Sequence, residues 1–117
     1  MGEPDPHKPG VKLDDGKIRM GLVLLGFARA LKEVGEVGTY GAKKYIDHGW
    51  VYVDNGRERY TDALLRHLLA EATEGDRDQE SGLLHAAHTA WNALARLELM
   101  LREEEEGNND KLAHKPT

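Results

Sequence analysis

Apolar residues recur at three- and four-residue spacing through Leu24, Ala28, Leu31, Val34 and Val37. That spacing lines one face of a helix and predicts a first helix over about residues 18–45. Glycines at 21, 26, 35, 38 and 41 interrupt the pattern, and each interior glycine costs about 1 kcal/mol relative to alanine. Gly35 and Gly38 share a face, which leaves two readings open: close approach by another helix or a ligand, or a break near Gly38. Leu64, Leu65, Leu68 and Leu69 supply the stripe of a second helix over about residues 57–72. Leu84, Ala87, Trp91, Leu94 and Leu97 do the same for a third, from residue 80 or 81 to 104. Between the first two, residues 48–56 are short and glycine-rich, and their Val/Tyr alternation predicts an extended loop. Strand signal is nearly absent. The fold class is therefore all-α, a small bundle of about three main helices.

The flanks differ from this body. Residues 1–17 hold Pro4, Pro6, Pro9 and Asp14-Asp15-Gly16 without apolar periodicity, which predicts a flexible arm. A run of glutamates, Glu103 to Glu106, opposes the helix macrodipole, so the third helix is expected to fray there into a flexible tail over 106–117. One helical domain over 18–105 remains, in keeping with a chain of 117 residues. Three helices with apolar edges this wide do not close a core alone. Pairing of the glycine-bearing first helix predicts a homodimer or higher homo-oligomer.

Composition narrows the chemistry. Lys and Arg number 16 against 21 Asp and Glu, a formal net charge of −5, which argues against a nucleic-acid partner because phosphate binding needs clustered cations. Cysteine is absent, excluding disulfides, thiolate metal sites and a thiol nucleophile. No apolar run approaches the roughly 20 residues of a membrane span, and no basic segment precedes an apolar one at the N-terminus. A cytoplasmic location with no membrane partner is the expectation.

Four groups of polar residues carry candidate chemistry. His85, His88 and Asn92 fall within a sector of about 60° on one helix face, which suits a metal or phosphate pair but equally a polar bundle edge. Arg59, Asp62 and Arg66 form a stripe on the second helix, followed by His67; an intrahelical Asp62–Arg66 ion pair explains part of it. Antiparallel packing of these helices would bring His67 and Asp62 toward His85 and His88. Glu33 and Glu36 lie one turn apart on the first helix, and Asp76, Asp78 and Glu80 cluster in a polar connection. Such carboxylates suit magnesium, which takes hard oxygen ligands. Lys43, Lys44 and Tyr45, followed by His48 and Trp50, pair cations with aromatics able to neutralise a polyphosphate and stack a base; the lysines also suit a helix C-terminus. Ser81, the only serine, reads as a helix N-cap. An adjacent His-Asp dyad of the HD phosphohydrolases is missing, since Asp47-His48 runs in reverse order.

In order along the chain, Asp14-Asp15-Gly16-Lys17, Thr39 to Tyr45, Trp50, Arg59 to Leu69, and Asp78 to Leu83 with His85 through Asn92 resemble a family of small phage and prophage proteins. That family is the N-terminal domain of dATP/dGTP diphosphohydrolase, and the resemblance covers about residues 13–100. It implies an all-α nucleotide pyrophosphohydrolase akin to MazG-like enzymes, which cleave a nucleoside triphosphate to monophosphate and pyrophosphate with magnesium. MazG-like enzymes place acidic pairs on neighbouring helices and build composite sites at dimer interfaces. Glu33 and Glu36 suit the first pair, but the later position here holds His88 to Asn92. The expected function is hydrolysis of purine deoxynucleoside triphosphates in phage nucleotide metabolism, in the host cytoplasm. Glu33, Glu36, Asp62 and Glu80 would hold Mg2+ or Mn2+, with His67, His85 and His88 as catalytic groups. Lys43, Lys44, Arg59 and Arg66 would bind phosphates, Tyr45 or Trp50 would stack on the base, and Asn92 would orient a histidine or the substrate. The alternative is a non-enzymatic helical module that binds a nucleotide or a protein.

Overall fold

The computed structural model describes residue 2 and residues 4–113, the side chains of 110–113 excepted. Among the described residues four helices carry the fold: α1 (Gly21–Leu24), α2 (Ala28–Lys44), α3 (Gly56–Thr73) and α4 (His85–Ala113), with a 3-10 turn at Gly49–Tyr52. The all-α class holds. Among the described residues the only extended pairing is an isolated antiparallel bridge between Arg77 and Leu84.

The first expected helix is split, but not at Gly38. The break falls at Gly26, where a Cβ would lie 2.5 Å from the Leu22 carbonyl oxygen, an approach only glycine permits. Helical bonding resumes at once, with Leu31 N–H donating to the Phe27 carbonyl. Through Gly35 and Gly38 the helix is continuous, and Gly38 faces the Trp91 indole of α4. Of the two open readings, the break is ruled out, while close approach is limited to the Trp91 side chain at Gly38, Gly35 having nothing within 4 Å. After α2, His48 takes a left-handed conformation (φ 57°) and a 3-10 turn replaces the expected extended loop. That turn delivers Trp50 into a set of edge-to-face contacts with Tyr60 and Trp91, ring centroids 6.3 and 6.0 Å away. The Tyr60 hydroxyl secures it by donating to the Trp50 carbonyl at 2.6 Å.

Helix α3 matches its expected span closely. It opens behind Asn55, also left-handed (φ 54°), and its first residue, Gly56, is buried against Leu99 of α4. Helix α4 starts at His85 rather than 80 or 81, because residues 78–83 close into a turn of their own. It then runs to Ala113, past the expected end at 104. Ion pairs brace that stretch: Arg102 to Glu98 at 2.7 Å along the helix, and Arg57 of α3 to Glu103 at 2.9 Å. Residues 114–117 of the expected tail, like residues 1 and 3 of the arm, lie outside the described residues.

Burial is sparse. Among the described residues the buried hydrophobics are Val37, Ala87 and Ala95. Leu65, Leu68, Leu69, Leu94 and Leu97, expected in the core, are all exposed, as are Ile18 and Leu22 to Leu25. The Cα radius of gyration is 20.1 Å, against roughly 13 Å for a compact chain of this length. A cleft of about 540 Å³ between α2 and α4 is walled by Leu31, Val34, Trp91, Leu94 and Leu101. Among the described residues no helix is long and apolar enough to cross a membrane.

Candidate functional site

The polar connection between α3 and α4 folds into a hydrogen-bonded knot. Asp78 N–H donates to the Leu83 carbonyl, Gly82 N–H to the Asp78 carbonyl, and His85 N–H to the Asp76 carbonyl, each at 2.8 Å. Gly82 turns the chain with φ 75°, a conformation that glycine adopts without strain. Inside the knot, Asp78 Oδ2 accepts from both the Ser81 backbone N–H (2.9 Å) and the Ser81 hydroxyl (2.8 Å). Ser81 therefore serves the turn, not the cap of α4 expected from its position.

These bonds fix a tautomer. A serine hydroxyl has one proton, and Ser81 gives it to the carboxylate. Its contact with His88 Nε2 at 2.7 Å must then be a bond donated by the imidazole. Neutral His88 carries its proton on Nε2 and leaves Nδ1 unprotonated. The His88 ring stacks on His67 of α3, centroids 4.4 Å apart and 6° from parallel. His67 in turn faces His85, Nδ1 to Nδ1 at 2.9 Å, so one of that pair donates and the other accepts. His85 and His88 are buried, 4% and 8% exposed, and so is Asn92 at 6%. Asn92 supports the site from below by donating to the His88 backbone carbonyl at 2.8 Å.

Electrostatics follow from this packing. Burial pushes the His88 imidazole below its ordinary value, against the pull of the Asp78 charge. Burial, and then the neighbouring His88, do the same to His67. For Asp78, burial acts to raise the carboxyl, but the two Ser81 bonds and His88 outweigh it and hold the group low. At the rim, Lys44 Nζ meets Glu80 Oε1 at 2.6 Å; this contact lowers Glu80 and raises Lys44. Tyr40, pushed up by the Glu80 carboxylate beside it, presents its ring to the edge of His88 at 6.4 Å.

Of the residues expected from sequence, the fold brings together His67, His85, His88 and Asn92, with Lys44 and Glu80 alongside. Glu33 and Glu36 stay on α2 and Asp62 on the exposed face of α3. The one set of three or more donors close enough to share an ion, among the described residues, is His67, Asp78 and His85, with ligating atoms all within 4.8 Å of one another. The all-carboxylate magnesium set therefore does not assemble, while a mixed nitrogen and oxygen set does. Lys43, Tyr45, Arg59 and Arg66 are exposed, and Trp50 sits in the aromatic cluster with the Arg102 guanidinium 5.7 Å from its ring. Asp78 was expected only among the acidic residues of the connection, and Ser81 only as a helix cap; that the two join the histidines is what sequence reasoning missed. Their mutual spacing, followed by His85 and His88, was the signal available.

The fold and site define a small helical module with a histidine–carboxylate cluster on the turn between two long helices. The chain belongs to the family described as dATP/dGTP diphosphohydrolase, N-terminal, which it matches over residues 7–110. It is 38% identical over 81 residues to a dATP/dGTP diphosphohydrolase of Salmonella phage PMBT28, an alignment covering 69% of this chain and 26% of that protein. The chain thus spans about a quarter of the length of the curated relative it matches. No solved structure matches it.

Proposed function

We propose that this chain hydrolyses purine deoxynucleoside triphosphates, dATP or dGTP, to monophosphate and pyrophosphate, as part of phage nucleotide metabolism in the host cytoplasm. The observation that carries the reading is the His67–Asp78–His85–His88 cluster, two of its imidazoles buried and the other two groups half-buried, in a member of this family. The substrate enters as its magnesium or manganese complex. A divalent ion held at the cluster would add positive charge beside the phosphates and make bound water more acidic. His88 Nδ1, left unprotonated by the Ser81 bond, takes the proton of the attacking water. Water oxygen bonds to the α-phosphorus, the bond from that phosphorus to the bridging oxygen breaks, and pyrophosphate leaves. Asp78, 3.7 Å from His88 Nε2, stabilises the imidazolium so formed. Lys43, Lys44, Arg59 and Arg66 are assigned to the triphosphate, and Tyr45 or Trp50 to the base.

The exposed leucines support a second element of the proposal, a homodimer or higher oligomer that covers them. They equally favour the rival reading, a non-enzymatic assembly module that binds a nucleotide or a protein. Turnover separates the two. Purified chain incubated with each deoxynucleoside triphosphate should release monophosphate and pyrophosphate, resolved by ion exchange. His88→Gln should slow this by about a hundredfold, the usual weight of a general base. No product from any triphosphate would leave the assembly module standing.

A further inference from the structure

We propose that His67, His85 and Asp78 form a resident binding site for a transition-metal ion such as Zn2+ or Co2+, distinct from the magnesium that accompanies the nucleotide. The inference deepens the proposed function at the same site; it rests on that reading for the role of the ion, not for its binding.

Three observations converge. The first is donor chemistry. Two imidazoles and one carboxylate are a borderline set that favours zinc, cobalt, nickel or iron, whereas magnesium and calcium prefer oxygen alone. The second is spacing. Ligands about 2.0–2.1 Å from a tetrahedral zinc stand roughly 3.3 Å from one another. His67 Nδ1 and His85 Nδ1 are already 2.9 Å apart, and all three ligating atoms lie within 4.8 Å. Closure needs a few tenths of an ångström of opening at the histidines and a side-chain shift at Asp78.

The third observation is the layer behind the ligands. Metal-ligating side chains are ordinarily held by hydrogen bonds on the atoms that do not ligate. Both bonds that Ser81 donates to Asp78 fall on Oδ2, and His88 Nε2 stands 3.7 Å from the same oxygen. The other oxygen, Oδ1, stands outside that network. Ser81, itself bonded by His88 Nε2, thus acts as the positioning residue that orients the carboxylate. The three ligands also come from three separate places, helix α3, the turn and the start of α4, so an ion would tie these parts together. A fold whose buried hydrophobics, among the described residues, are as few as Val37, Ala87 and Ala95 has much to gain from such a tie.

The test uses untagged, chelator-treated protein titrated with zinc, cobalt or magnesium chloride, read by calorimetry, by the visible spectrum of bound cobalt and by thermal unfolding. One equivalent of zinc or cobalt per chain is expected, with a cobalt spectrum of tetrahedral intensity. Tm should rise by roughly 10 °C at a hundredfold excess over Kd, and magnesium should leave it unchanged. His67→Gln and Asp78→Asn, each checked for native helix content by circular dichroism, should abolish stoichiometric binding. Ser81→Ala should weaken it about 10- to 100-fold. Unaltered binding in folded His67→Gln and Asp78→Asn would overturn the site, as would binding lost in a Glu33→Gln, Glu36→Gln double variant. Absence of any zinc or cobalt binding to the folded chain would also overturn it. Binding without nucleotide turnover would keep the site and sink the hydrolase reading; turnover with magnesium and no zinc or cobalt binding would do the reverse.

Discussion

At the scale of single residues, Ser81 does more than its size suggests. Its one hydroxyl proton goes to Asp78, and that fixes which nitrogen of His88 is free. The same packing makes the cluster sensitive to pH. Burial holds His67 and His88 below the ordinary imidazole value, so the unfolded chain takes up protons there before the folded one does. Stability from these groups is complete above about pH 6.5, the unfolded value, and is lost as pH falls through the depressed folded values. The urea midpoint of metal-free protein should therefore drop between about pH 7.5 and pH 5.5. Asp78, also held low, adds its own loss only below about pH 4. A midpoint unchanged across the upper window would show that the imidazoles are not packed in neutral form. His85, His88 and Asn92 were legible in the sequence because helix geometry sets their angular spacing. That Asp78 and Ser81 would join them was not, since their meeting depends on a turn with positive φ at Gly82, which follows no period.

Among the elements, glycine explains both what the sequence pattern located and what it misplaced. Helix α3 begins where Gly56 lets the chain press against α4, and its span was readable from leucine spacing. The break between α1 and α2 was not, because five glycines offered candidate sites and only the Leu22 carbonyl singles out Gly26. Gly56 and Gly38 should respond to alanine in opposite directions. At Gly38 a Cβ would rest 3.6 Å from the Trp91 indole, an ordinary contact, so Gly38→Ala should stabilise the chain by up to about 1 kcal/mol through helix propensity. At Gly56 the new Cβ would lie 2.9 Å from Leu99 Cδ1 and 3.4 Å from the Tyr60 ring. Gly56→Ala should cost about 1 kcal/mol, the low end of overpacking, because Leu99 Cδ1 is the free end of a side chain that can turn aside. Denaturant titration of the two variants checks both signs.

For the molecule as a whole, the leucine stripes were correctly placed on helices but not on a core. Periodicity reports which face is apolar, not whether this chain or another covers it. Covering by a second copy predicts a light-scattering mass of at least twice 13.1 kDa. Leu97→Glu, in the wall of the α2–α4 cleft, should reduce it to the single-chain value. A mass of one chain for the unaltered protein would remove the oligomer. The aromatic cluster offers an optical handle on the same question. The chain has two tryptophans, Trp50 and Trp91, and both line that cleft with rings 6.0 Å apart. Their emission is thus a built-in gauge of wetting at one place. Dilution that separates the copies should shift it to the red, while the far-ultraviolet helix signal stays constant.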